Sequence, residues 1–424
     1  MKSFIYLIFI HIGLGLFIQI LPLIGSLHAW ITLLGGIYFT LHDRSSNRCI
    51  MVIFYITGSE LLWRGFKANV FWEFGKYSII IIIFFILWRL GLKQLNKKLG
   101  LAYILLLIPS FIMLDGFSRQ DISHAIGGPI CLGFSLLLFQ NQIIKKQNLI
   151  ENLQILLLPI ISLLSIMILS TLQFGQIDFF AAYIYEYTTA GIGPNQASNI
   201  LGLGILISFL LLILDNKFRI VYTILCSVFL LQTIISYSRG GFWNAIISVW
   251  IVILFSLTTK NNIRKFIFIF SIVCSLFYFI IFPIVDDLTE QSLTKRYGDT
   301  DFTRREFIIA SELHAFKHHK IFGIGPGQSR KYRIQNFNSP KHTHTEYTRL
   351  LAEHGVFGIA IIILLFILPL RTFMNSIGFA RSIGLSLAVW SLLFMFHSAT
   401  RLVAPCIIFS FAMTNIDIKR INKF

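Results

Sequence analysis

Apolar positions along this chain come in blocks of about twenty residues parted by short polar breaks, with little alternation at the period of a strand. That block length suits helices crossing the hydrocarbon core of a bilayer, where each segment must satisfy its own backbone groups; barrel strands would alternate instead. Fourteen windows are predicted to be spans, near 4–24, 27–41, 50–63, 77–92, 100–115, 123–140, 152–172, 196–215, 220–236, 241–258, 266–284, 355–371, 382–396 and 402–416. The expected fold class is an all-α polytopic membrane protein with about 12–14 transmembrane helices and one long, partly helical outer segment. The first window follows a single lysine and no small-residue cleavage site, so it reads as a retained span and not a signal peptide. The chain then divides into 1–195, N-terminal spans with short loops; 196–284, central spans including the Arg239 loop; 285–352, the large outer segment; and 353–424, C-terminal spans.

Composition adds orientation. The formal charge of +17 raises the question of nucleic acid, but there is no basic tail or long basic run, so none is expected as a partner. With the N-terminus inside, nineteen Lys and Arg fall on the inner side, against six in the short loops opposite. The positive-inside rule therefore predicts that both termini are cytoplasmic. The inner loops are too short for a nucleotide-binding site, whereas six of the eleven histidines lie in the long outer segment or, as His354, just past its end. Chemistry is thus expected on the outer face, without ATP or a nucleotide sugar. The five cysteines are scattered singly and indicate neither a disulfide framework nor zinc.

Five stretches carry candidate chemistry. "YTTAGIGPNQASN" (187–199) is a Gly/Pro turn entering a span, able to offer backbone N–H groups or simply to cap a helix. "YSRGGFW" (237–243) sets Arg239 beside two glycines; the guanidinium can anchor at the membrane surface or fork onto a phosphate. "DTDFTRREFIIASELHAFKHHKIFGIGPGQSR" (299–330) predicts an amphipathic helix with Arg304 and Arg305 in its first turn, ended by a glycine loop. That loop lacks the Lys-Ser/Thr of a P-loop. In "KHTHTEYTRLLAEHGVFG" (341–358), His342, His344, His354, Glu346 and Glu353 are weighed as metal ligands; against that, His344 alone suits proton transfer from a sugar hydroxyl. In "SELLWRGFKANVFWEFGKY" (59–77), Glu60 lies in an apolar run and should pair with Arg64, with Trp63, Phe71 and Trp72 as interfacial anchors.

"HTEYTRLLAEHGVFG" reproduces a pattern of His-polar, nine residues, then Gly-x-x-Gly, with His344, Thr345, Gly355 and Gly358 in place. With "GPNQASNILG", "YSRGG" and "TRREFIIASELHAFKHHKIFGIGPG" in the same order, residues 187 to 370 resemble the O-antigen ligase and O-antigen polymerase superfamily of bacterial membrane glycosyltransferases. The resemblance implies an inverting, metal-independent transfer of a glycan from undecaprenyl-diphosphate to an acceptor hydroxyl, on the outer face of the cytoplasmic (inner) membrane. No cofactor is implied. Arg239 and Arg304 or Arg305 would bind the diphosphate and His344 would act as base; His342, Glu346, Tyr237, Asn195 and Arg401 are further candidates for positioning substrate. The leading expectation is O-antigen ligation to the acceptor glycolipid lipid A core, with repeat-unit polymerisation onto a growing glycan next. Protein O-oligosaccharyl transfer, or a non-enzymatic polysaccharide transporter, stays open.

Overall fold

A computed structural model describes residues 2–42, 46–90, 98–114, 118–174, 187–256 and 305–417, with isolated positions 279, 283, 287 and 294. Apart from those positions, the span expected near 266–284, the start of the outer segment through Arg304, and Cys274 lie outside the described residues.

The described chain is helical. It runs through α1 (Lys2–Ile20), α2 (Pro22–His42), α3 (Ser46–Gly65), α4 (Phe74–Leu90), α5 (Lys98–Leu107), α6 (Arg119–Phe139), α7 (Lys146–Phe174) and α8 (Pro194–Leu214). There follow α9 (Arg219–Ile235), α10 (Arg239–Ser256), α11 (Arg305–His318), α12 (Ser329–Phe337), α13 (Glu346–His354), α14 (Val356–Asn375), α15 (Gly378–Ser398) and α16 (Ala404–Ala412). Among the described residues nine helices are long and apolar enough to cross a membrane: α1, α2, α6 to α10, α14 and α15. The polytopic all-α class expected from the block pattern is the one found.

Four other expected windows fall outside those nine: 50–63 lies in α3, 77–92 in the 17 residues of α4, and two more give shorter helices. The 100–115 window holds α5 and a 3-10 turn, Pro109–Met113. The 402–416 window gives only the nine residues of α16, which rise roughly 14 Å, under half of a ~30 Å hydrocarbon core. All nine are buried, between α6, α15 and α3. Thr400, just before α16, sits against Gly128 in the middle of α6, where a Cβ would come within 2.2 Å of its hydroxyl. The chain before α16 thus descends well below the start of α6, and a polar floor lies inside the bundle.

Burial sorts the helices. Within its apolar window α8 is 83% buried and α14 only 28%, so α8 stands at the centre and α14 shows most of its surface to lipid. Close approach at the centre depends on glycine: a Cβ on Gly241 of α10 would lie 2.3 Å from the Ser198 carbonyl carbon of α8. Lower down, the Asn244 amide donates to Asn199 Oδ1 at 2.9 Å and to the Trp390 carbonyl at 3.1 Å, joining α10, α8 and α15.

The loops segregate into the two sets the sequence assigns to opposite faces. At one end, β1 (Ile143–Lys145) and β2 (Asn415–Asp417) form a short parallel pair, and Asn47 reaches Glu151 at 3.3 Å. At the other, Arg64 donates to the Arg401 carbonyl at 2.6 Å, Ser110 bonds His354 at 2.7 Å, and Ser238 donates to Asn195 at 3.2 Å. The anticipated Glu60–Arg64 pair forms at 3.5 Å, and Glu60 also accepts from the Val403 amide at 2.6 Å. Phe71 and Trp72 are exposed, as befits anchors, but Trp63 is a correction: it is buried, because its indole N–H finds His28 Nδ1 at 2.8 Å inside the bundle.

Candidate functional site

The second end of the bundle is organised by a buried ion pair. Arg333 of α12 and Glu312 of α11 meet at 2.7 Å, each side chain 1% exposed. Arg333 also donates to the Lys341 carbonyl at 3.1 Å and to Thr343 Oγ1 at 3.0 Å, while Glu312 accepts from the Thr343 and Thr348 hydroxyls at 2.5 Å each. From the opposite direction Arg401 donates to the Thr343 carbonyl. Residues 341–343 are therefore fastened to three elements, and His344 follows directly, two residues before α13.

The motif glycines explain how α13 turns into a membrane helix. Gly355 has φ +59°, and a Cβ there would lie 2.4 Å from the Ile321 carbonyl oxygen; one at Gly358 would lie 2.0 Å from the Leu350 oxygen. The pattern His-polar, nine residues, Gly-x-x-Gly thus encodes an elbow that seats α13 against α14 and against the turn after α11. The "GIGPG" turn docks on the same elbow, with Ile324 N–H bonded to the Ala352 carbonyl at 2.8 Å and Gly325 N–H to that of Glu353 at 3.2 Å.

Cations gather around His344. Its ring is half-buried, and burial together with the positive charges of Arg401, Arg305 and Arg333 lowers its pKa to about 4. The imidazole is neutral at pH 7 and can accept a proton. Burial, aided by the arginines near it, likewise lowers Arg401 to about 10, so it stays protonated. Arg305, the first residue of α11, places a guanidinium nitrogen 3.5 Å from His397 Nδ1 at the end of α15. The other edge of that ring meets α10: a Cβ on Gly240 would lie 1.8 Å from His397 Nε2. Arg239 opens α10 one residue earlier, so its backbone is beside the cluster.

Beside His344 lies a polar cavity of about 300 Å³, its wall including His342, Thr343, Arg401, Arg64, Trp72 and Glu353. The Arg64 guanidinium stacks on Trp72 with 4.0 Å between its carbon and the ring centroid. Asp121, His124 and Ala125 of α6 also line the cavity, so it reaches at least one turn into the bundle. Next to it, Glu73 and Lys76 pair at 2.5 Å.

The sequence candidates divide. His344, Arg305, Arg401 and His342 come together. Glu346 is buried and committed to protein partners: one Arg349 nitrogen donates to both its oxygens, at 2.6 and 2.7 Å, and Thr400 donates its N–H at 3.0 Å and hydroxyl at 3.1 Å. His354 bonds Ser110 and Glu353 accepts from Ser329 at 2.8 Å. The five groups weighed as metal ligands are thereby dispersed, and among the described residues no three His, Cys, Asp or Glu converge on a metal position. Tyr237, buried at φ +56°, forms the turn before α10, and Asn195 stands in the first turn of α8. Arg304 lies outside the described residues. His397, Arg333 and Arg349 were not anticipated. Their signals were slight: His397 is a lone polar side chain near the end of an apolar run, and Arg349 stands three residues after Glu346.

Residues 224–363 match the protein family described as O-antigen ligase. The resemblance read from the motifs holds over that third of the chain, which includes Arg239, Arg305 and His344 and stops short of His397 and Arg401. That stretch is therefore similar to the O-antigen ligase family. No curated protein matches the chain.

Proposed function

We propose, from the O-antigen ligase family match, that this protein transfers a glycan from undecaprenyl-diphosphate to an acceptor hydroxyl with inversion at the anomeric carbon, the site end of the bundle facing away from the cytoplasm. The observation that carries the reading is the grouping of Arg305 and Arg401 with a neutral His344. A diphosphate leaves readily once its developing charge is met, and guanidinium groups in a partly dehydrated cavity meet it better than water does. Arg305 and Arg401, with Arg239 at the tip of α10, are assigned to that charge.

His344 takes the acceptor's proton as the new C–O bond forms. Its lowered pKa keeps it unprotonated beforehand, and an arriving diphosphate offsets the cations that lower it, so the ring becomes more basic when the donor is in place. The cavity lined by Trp72, His342 and Glu353 lies alongside and receives the sugar that carries the attacking hydroxyl. Ligation to lipid A core is the leading assignment and chain-extending polymerisation the second, since both use this donor and this proton transfer.

The test is deletion of the gene and inspection of surface polysaccharide. Long chains stranded on the lipid carrier indicate a ligase; single repeat units indicate a polymerase; unchanged polysaccharide overturns glycan transfer. Complementation with His344→Ala or Arg305→Ala should fail although each protein reaches the membrane at normal level.

A further inference from the structure

The ion pair of Glu73 and Lys76, beside the cavity next to His344, takes no part in the transfer as proposed. Glu73 stands in the turn entering α4 and Lys76 in the first turn of that helix, with 2.5 Å between Glu73 Oε2 and Lys76 Nζ. The Lys76 side chain is fully buried and that of Glu73 is 5% exposed. A Cβ on Gly127 of α6 would lie 3.6 Å from Lys76 Cδ and 3.7 Å from Glu73 Oε2, so that helix backs the pair. Glu73 lines the cavity, as does Trp72 directly before it.

The two carboxylate oxygens differ. Oε2 takes the ion pair; among the described residues Oε1 has no hydrogen-bond donor and, unlike Oε2, keeps contact with open space. The space it meets is the cavity that Glu73 lines. Stability does not explain the arrangement, because well-packed apolar residues of the same volume do as well as a buried ion pair or better. Glu73 also pairs with Lys76 although Arg401 lines the same cavity. Lys76 therefore offsets the charge of Glu73, and the carboxylate can accept hydrogen bonds without neutralising a cation assigned to the diphosphate. An alcohol O–H donated to a carboxylate makes a short, charge-assisted bond, and a sugar brings several such donors into a cavity of about 300 Å³.

We propose that Glu73 is an acceptor-binding residue: its Oε1 accepts from a hydroxyl of the acceptor sugar and so turns the attacking hydroxyl towards His344, while Lys76 holds the carboxylate in place. The inference rests on the reading that this cavity receives the acceptor, and it brings into the site a segment far outside the family-matched residues 224–363. The chemistry recognised is an uncharged, polyhydroxyl face of a sugar; a carboxylate or phosphate at that point is repelled.

Two pair variants separate binding from ion pairing. Glu73→Gln with Lys76→Met removes both charges and orphans neither; Glu73→Lys with Lys76→Glu keeps an ion pair but presents an ammonium to the cavity. Each full-length protein is purified in detergent and supplied with the lipid-linked glycan that accumulates in the deletion strain. The acceptor probes are that strain's core lipopolysaccharide and its lipid-linked single repeat unit, and the one that wild type elongates is titrated. In both variants the acceptor KM should rise about tenfold or more, the worth of one hydrogen bond to a charged group. Undecaprenyl diphosphate should bind each within about threefold of wild type. An unchanged acceptor KM in either variant overturns the proposal, as does an equal loss of diphosphate binding, which marks a structural pair.

Thermal unfolding in the same detergent identifies a variant that does not fold. If both fail, Glu73→Asp supplies the remaining arm: it keeps the charge opposite Lys76 but withdraws the carboxylate by one methylene. The acceptor KM should then rise about threefold or more, and a wild-type KM overturns the proposal. Failure of the underlying reading looks different. A wild-type protein that elongates neither probe, or a fully active His344→Ala variant, refutes the transfer itself; an inactive His344→Ala variant beside unaffected pair variants refutes only the role of Glu73.

Discussion

Glu312 tests whether the position of His344 is set by the buried ion pair beneath it. Glu312→Gln keeps the shape of the side chain but removes the charge facing Arg333, and both partners are 1% exposed. An arginine left buried without its counter-charge costs about 3–5 kcal/mol. The hydroxyls of Thr343 and Thr348 keep an acceptor of weaker strength, which adds about 1 kcal/mol between them. The expected destabilisation is therefore about 4–6 kcal/mol, a large share of the stability of most domains. Adding Arg333→Met to Glu312→Gln removes the orphaned charge and should recover much of that loss. It also deletes the bonds from Arg333 to Lys341 and Thr343, so the segment leading to His344 is no longer fastened from that side. Reversible unfolding of the purified protein by SDS in mixed micelles measures the stability, and glycan transfer in membranes measures the function. The double variant should fold yet transfer at least tenfold more slowly, since a displacement of about 1 Å at a catalytic group is worth about a hundredfold. A single variant losing under about 1 kcal/mol, or a double variant with the wild-type rate, refutes the account.

Two further outcomes follow from the same geometry. The His344 pKa of about 4 in the folded protein lies below its ordinary 6.5; kcat/KM should therefore stay level from neutral pH into the mildly acid range and fall only near pH 4, while the acid limb of kcat, measured with donor bound, should lie at higher pH. An acid limb in kcat/KM at 6.5 or above contradicts the crowding of cations around the ring. By the same linkage the folded state binds fewer protons than the unfolded one, so this group lowers stability as pH drops from 6.5 towards 4 and contributes nothing above that window. Gly355→Ala forces a side chain to φ +59° and against the Ile321 carbonyl; it should cost about 1–3 kcal/mol in the same SDS titration and lower transfer with it, and a stability equal to wild type would mean that the elbow is not held as described.

The fold was legible because lipid imposes one rule on every span, and the rule acts on local sequence: an apolar block of sufficient length becomes a helix. The 402–416 window, which gave only the short α16, is apolar for a different reason. Residues 404–412 are all buried by protein, so their hydropathy reports the company of α6 and α15 and not a lipid crossing. Hydropathy alone cannot tell these two apolar surroundings apart, and Trp63 was misplaced on the same ground.

The site was legible in proportion to how local its parts are. His344 and the paired glycines sit within fifteen residues and form one elbow, so their spacing carries the signal. Arg401 and His397 reach the site only because α15 returns beside α10 and α13, through contacts between residues 58 and 92 apart in the chain. Charge in such a site is partitioned between groups with two different tasks, and the sequence prints both in the same letters. Arg333 and Arg349 face buried carboxylates and hold the scaffold; Arg401 bonds a backbone carbonyl, a contact that adds no negative charge. What separates a structural arginine from one able to serve an anionic substrate is the charge of the acceptor across from it. That acceptor is chosen by the packing of distant helices, and a backbone oxygen in that place is the mark to seek in the rest of the cluster.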